Sequence, residues 1–170
     1  MLRHTLKSLG PKVLATRMVR DYTRQLYAPA TATARALNSD YAGAAALAAW
    51  KKKVRAGWTD VKVEHVESSG VGDAPEVGAE LTVRAFVCLG DLSPSDVRVQ
   101  LVHGRVRADD SLTEAVTLDL AVTEGYEGGR HRYDGSVALG HSGAFGYTVR
   151  VLPRHDLLVS TAELGVVALA

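Results

Sequence analysis

A change of period constrains this 170-residue chain more than any other feature. Up to Gly57 the apolar residues return every three or four positions, and from Thr59 onward they return every second one. Side chains line up every 3.6 residues on a helix and every two on a strand, so the two rhythms belong to different backbones. The reading is an α+β chain: a helical segment over residues 1–57, then an antiparallel, immunoglobulin-like β-sandwich over residues 58–170.

In "LGPKVLATRMVRDYTRQLYAP", Gly10-Pro11 suits a helix start. Val13, Leu14, Met18, Tyr22 and Leu26 then form an apolar stripe, with Arg17, Arg20 and Arg24 mostly on other faces. That predicts an amphipathic helix of about four turns. Ala28-Pro29 is expected to end it, because the residue before a proline is pushed out of the α region. An alanine-rich helix follows to about Ala56, with Asn38, Ser39 or Asp40 as N-cap and Gly57 as terminator. Lys51, Lys52 and Lys53 sit near its negative end. The first helix begins almost at the first residue, so its apolar stripe predicts a partner surface that lies elsewhere.

The β part alternates. "DVKVEHVE" sets Val61, Val63 and His65 against Lys62, Glu64 and Val66. "AELTVRAFVCL" aligns Leu81, Val83, Ala85 and Val87; "DVRVQLVHGRV" aligns Val97, Val99, Leu101 and His103. "AVTLDLAV" aligns Val116, Leu118, Leu120 and Val122, and "HRYDGSVAL", "FGYTVRVL" and "LGVVALA" complete about seven strands between Gly-, Asp- and Ser-rich turns.

Composition excludes several classes. There is no apolar run of the roughly 18 residues a membrane span needs, and no apolar core of a secretory signal. Cys88 is the only cysteine, so no internal disulfide forms; it lies in an apolar run as a small core residue, and the expectation is a cytoplasmic protein. Net charge is +1, yet residues 1–56 carry eleven Lys and Arg against Asp21 and Asp40. The rest carries nine against seventeen Asp and Glu, an asymmetry that speaks to partners.

No chemistry-bearing constellation stands out. His141-Ser142-Gly143 lies between strands and reads as a turn rather than a nucleophile elbow. Gly140, Gly143 and Gly146 precede a strand, not the helix N-terminus a phosphate cradle needs. The six histidines lack metal-ligand spacing. The basic helix carries none of the aromatic or glycine interleaving of a nucleic-acid reader, and reads as a docking helix. Trp58, Tyr126 and Tyr133 are candidate sugar-stacking rings; the competing reading puts Tyr133 in the core and Trp58 at the junction.

"SLGPKVLATRMVRDYTRQLYAPA" closely resembles the C-terminal end of the catalytic core of bacterial α-glucan (glycogen/maltodextrin) phosphorylases, through Arg17, Met18, Val19, Tyr22, Leu26 and Tyr27. The stretch from "AAWKKKVRAGWTDVKVEHVES" to "GAFGYTVRVLPRHDLLVSTAELGVVALA" looks like the β-rich extension of the actinobacterial-type members. The resemblance implies a parent enzyme that transfers a glucosyl unit from an α-1,4-glucan to orthophosphate, using pyridoxal phosphate on a lysine in a Gly-x-x-x-Met-Lys-type motif. Here Lys7, Lys12, Lys51, Lys52, Lys53 and Lys62 stand in no such motif, so no catalytic or cofactor residue carries over. The resemblance therefore implies a structural, docking or subunit-contact part, inactive alone. Arg17, Met18, Arg20, Tyr22, Leu26 and Tyr27 would meet the upstream catalytic domains or a second copy. The alternatives are an accessory glucan-binding module and a stand-alone interaction protein, the latter if Met1 is a true start.

Overall fold

The computed structural model describes residues 7, 9–38, 41–72, 76–140 and 142–170, with the side chains of Pro11, Val13, Ala36 and Asn38 left aside. Ser39, Asp40 and His141 lie outside the described residues, as does the side chain of Val13 in the apolar stripe. The chain divides into two compact units, Met1–Ala48 and Ala49–Ala170.

The first unit holds α1 (Gly10–Val13), α2 (Ala15–Tyr22) and α3 (Ala28–Asn38), with a π-helical turn over Thr23–Tyr27. The expectation that Ala28-Pro29 ends the helix is corrected, since helix runs through it. The reason is local: the Ala28 N–H donates to the Thr23 carbonyl, five residues back, and this widened turn relieves the clash a proline ring makes with the preceding turn. Helix α4 (Ala42–Gly57) crosses the division between units. Asn38 closes α3 and so does not cap α4. Gly57 ends α4 without a left-handed cap, at φ −88°, where the chain tightens into a 3-10 turn, Trp58–Asp60.

The second unit carries eight described strands: β1 (Lys62–Ser69), β2 (Glu80–Cys88), β3 (Val97–Val106), β4 (Leu112–Asp119), β5 (Ala121–Tyr126), β6 (Arg130–Ala138), β7 (Phe145–Pro153) and β8 (Ala168–Leu169). They form two antiparallel four-stranded sheets, ordered β1-β2-β6-β5 and β4-β3-β7-β8. The alternation in β2 puts Leu81, Val83, Ala85 and Val87 at 2 % exposure or less. They share one core with Val97, Val99, Leu101, Tyr133, Val149 and Val151 from the other strands, and with Val54 of α4.

Three expected patterns are corrected. A bulge between Val63 and His65 puts Glu64 and His65 both outward, so Val66 joins Val63 against the core and His65 does not. "AVTLDLAV" is two strands in different sheets. The chain changes sheet at Leu120, which is buried and donates its N–H to the Val99 carbonyl at 2.9 Å, while Val116 and Val122 stay exposed. "LGVVALA" forms strand only over Ala168–Leu169, with the Ala170 N–H donating to the Val149 carbonyl at 3.0 Å, because residues Thr161–Leu164 coil into a 3-10 turn closed by left-handed Gly165.

Candidate functional site

Three surfaces gather the residues that can meet a partner. On α2 and the π-helical turn no residue is buried. Leu14, Met18, Tyr22, Leu26 and Tyr27 are 45–62 % exposed, an unusual state for five large apolar side chains on one short helical run. Leu14, Arg17, Met18, Asp21 and Tyr22 line one shallow groove; Tyr27 lines another with Thr31 and Arg35. Asp21 pairs with Arg17 at 3.4 Å and with Arg20 at 3.9 Å. Arg17, Met18 and Tyr22 are therefore brought together, and Tyr27 lines a separate groove.

The second surface lies where α4 meets the turn before β3. Ser93-Pro94-Ser95-Asp96 is a capping box: the Ser93 hydroxyl accepts from the Ser95 N–H, and the Asp96 carboxylate accepts from the Ser93 N–H at 2.9 Å. The same carboxylate accepts from the Trp50 indole N–H at 2.8 Å and from Lys53 Nζ at 2.6 Å. Burial pushes the Asp96 carboxyl up, but Lys53, the Ser93 amide and Trp50 together outweigh it and hold the group below the usual carboxylate range. A carboxylate so committed is a structural anchor and a poor proton donor. The Trp50 ring tilts over His155 at 4.8 Å, and His155 Nδ1 accepts from the Leu157 N–H. Lys51, the next residue of α4 after Trp50, pairs with Glu163 of the 3-10 turn Thr161–Leu164.

The third surface is the outer face of sheet β1-β2-β6-β5. His65 lies 5.7 Å from Phe86, and Phe86 lies 6.5 Å from Tyr126, between ring centroids, in a row across the sheet. Arg132, paired opposite Phe86 on β6, donates to Glu124 at 2.7 Å and to both Asp134 and Thr123 at 3.1 Å. The Tyr126 hydroxyl donates to Glu124, which pushes the phenol up. Glu64 pairs with Arg130 at 3.0 Å and Lys62 at 3.5 Å.

Of the three rings singled out for stacking, Tyr126 is 46 % exposed. Trp58 is part-buried against the core. Tyr133 is a correction: at 3 % exposure it belongs to the core, opposite Ala85, and no sugar reaches it. Its hydroxyl has no hydrogen-bond partner among the described residues, and burial pushes the phenol to about 12. Phe86, Arg132 and Asp96 were not singled out by sequence reasoning. Phe86 had a signal, a large ring on the polar phase of an alternating strand; Asp96 had another, the S-x-x-D spacing of a capping box.

The lysines do not fit pyridoxal phosphate. Lys51, Lys53 and Lys62 are ion-paired with Glu163, Asp96 and Glu64, and Lys7, Lys12 and Lys52 lie exposed, so none is held in an enclosed cavity as a Schiff-base lysine must be. Among the described residues no group of three or more His, Cys, Asp or Glu is placed to hold a metal, and no helix is long and apolar enough to cross a membrane.

A helical lead-in followed by two antiparallel sheets, with anchoring rather than reactive polar groups, defines an α+β domain of the type described as glycogen phosphorylase C-terminal domain, whose family pattern matches residues 58–170. Over its full length the chain is 44 % identical to a glycogen phosphorylase of Mycobacterium tuberculosis (strain ATCC 25618 / H37Rv) and to one of Mycobacterium bovis. It is 31 % identical, over 98 % of its length, to a maltodextrin phosphorylase of Thermococcus litoralis. The chain belongs to the glycogen phosphorylase C-terminal domain family. It spans 20 % of the length of these relatives.

Proposed function

We propose that the chain is the non-catalytic C-terminal part of an α-glucan phosphorylase, an enzyme that uses pyridoxal phosphate to cleave α-1,4-glucan with orthophosphate to glucose 1-phosphate. Its helical segment docks on the catalytic body or a second copy, and its two sheets, as an immunoglobulin-like sandwich, buttress that contact in the cytoplasm. The observation that carries this reading is the row Leu14, Met18, Tyr22 and Leu26, each about half exposed on a helical run with no buried residue. A face of that kind needs a cover, and the relatives hold four-fifths of their length outside the matched region. Arg17 and Arg20 would frame it, leaning on Asp21 rather than on the body.

The test is association in trans. A mycobacterial glycogen phosphorylase shortened by the matched fifth is mixed with this chain; co-elution and a gain in phosphorolysis are expected. The pair Met18→Lys and Tyr22→Lys is expected to abolish both. A chain that stays a monodisperse monomer and neither binds nor activates the shortened enzyme would remove the docking reading.

A further inference from the structure

We infer that the outer face of sheet β1-β2-β6-β5 is a binding platform for an α-1,4-glucan, with Tyr126 and Phe86 as stacking rings and Arg132, Glu124 and Asp134 as partners for sugar hydroxyls. The choice of glucan rests on the phosphorylase reading; the platform itself rests on geometry. The solvent face of an antiparallel sheet ordinarily carries polar side chains. Here it carries three rings in succession, at 5.7 and 6.5 Å centroid spacing, with Tyr126 46 % exposed, His65 open to solvent and Phe86 partly exposed. A pyranose presents a flat patch of C–H groups and a rim of hydroxyls, so it is recognised by a ring beneath and donors and acceptors alongside. Arg132 is held in place for that work by Glu124, Asp134 and Thr123, which lowers the cost of ordering it on binding.

Charge selects among occupants. Lys62, Arg84, Arg130 and Arg132 share this face with Glu64, Glu67, Glu80, Glu124 and Asp134, and Lys62, Arg130 and Arg132 are ion-paired at 3.5 Å or closer. A face with no excess of cations suits an uncharged polyol; a polyanion would need such an excess. A row spanning β1, β2 and β5 suits a chain of sugars over a single one.

The test is affinity electrophoresis of the 170-residue chain in gels cast with glycogen, and titration with maltoheptaose read by intrinsic fluorescence. Retardation and millimolar binding are expected. Tyr126→Ala is expected to weaken both about tenfold and Tyr126→Phe, which keeps the ring, to weaken them less, whereas Val159→Ala, at a 77 % exposed position outside this sheet, leaves them unchanged. An unaltered thermal midpoint shows that the Ala variant is folded. Absence of retardation in the parent chain overturns the inference, as does equal retardation of the parent and Tyr126→Ala. Trans-association with the shortened phosphorylase is scored without glucan, so loss of the docking reading and loss of the platform are separate results.

Discussion

Trp50 donates its indole N–H to Asp96 across 2.8 Å, joining residues 46 positions apart. The carboxylate that receives it is 7 % exposed and also takes Lys53 and the Ser93 amide. One side chain thus ties the last turns of α4 to the turn that launches β3, beside the fully buried Val54.

Removing that carboxylate strands three donors. Asp96→Ala is expected to lower the unfolding free energy by about 2–4 kcal/mol, and Trp50→Phe, which keeps a ring but loses the N–H, by about 1 kcal/mol. Urea unfolding followed by tryptophan fluorescence measures both. Wild-type midpoints in both variants would show that the anchor is idle.

The same group sets an acid limit. The Asp96 carboxyl is depressed below its ordinary 3.8 in the folded chain, so the unfolded chain holds more protons near that pH. Its contribution is complete above the unfolded value and is lost as pH falls through the lower folded one. Stability measured from pH 6 down to pH 2 is expected to decline less steeply below about pH 4 in Asp96→Asn than in the parent; parallel curves would contradict the assignment.

Gly129 and Gly90 press back to back. Gly129 has φ +72°, and a Cβ there would stand 2.3 Å from the Gly90 carbonyl oxygen, a backbone atom that cannot swing away. Gly129→Ala is expected to cost about 2–4 kcal/mol, from strain and clash together. Its neighbour Gly128 has φ +74° but open space around it, so Gly128→Ala carries the conformational part alone, about 1 kcal/mol. Equal thermal midpoints for the two variants would show that the close approach does not matter.

Tyr133 carries a hydroxyl that the core does not use. Tyr133→Phe is expected to keep or raise the thermal midpoint, because no protein acceptor is lost. The phenol is pushed up to about 12, so its neutral form favours the folded chain. That contribution is whole below its ordinary value of 10.0 and disappears as pH rises toward 12. The phenylalanine variant should lose stability less steeply between those limits, and ultraviolet titration should lack one late phenol. A clear fall in midpoint at neutral pH would reveal a hydrogen bond.

Much of the architecture was legible because it depends on neighbours in the chain. The core face of β2, the helical character of Ala15–Asn38 and Ala42–Gly57 and the start of α1 at Gly10-Pro11 follow from spacing and local propensity, whereas the break at Leu14, whose ψ of 133° is extended, interrupts the expected four-turn helix. The end at Pro29 was misread for an equally local reason, since one widened π turn accommodates a proline that an α turn would not. At the candidate surfaces, the apolar stripe of Met18 and Tyr22 and the ring of Tyr126 were visible in the sequence, whereas Phe86 and Arg132 gained meaning only from the strands beside them.

The sequence by itself determined where helix gives way to strand, since 3.6- and two-residue periods are properties of the backbone within a few residues. Only the tertiary structure decided which ring is core and which is surface. Tyr133 is buried because β6 pairs with β2 so that it faces inward opposite Ala85. Tyr126 is exposed on a strand whose register shifts between Val122 and Glu124. The sheet change at Leu120 and the reach of Trp50 to Asp96 are likewise non-local. Strand order, register and bulges are settled by contacts between distant segments, and a single extra residue in a strand turns every later side chain to the other face.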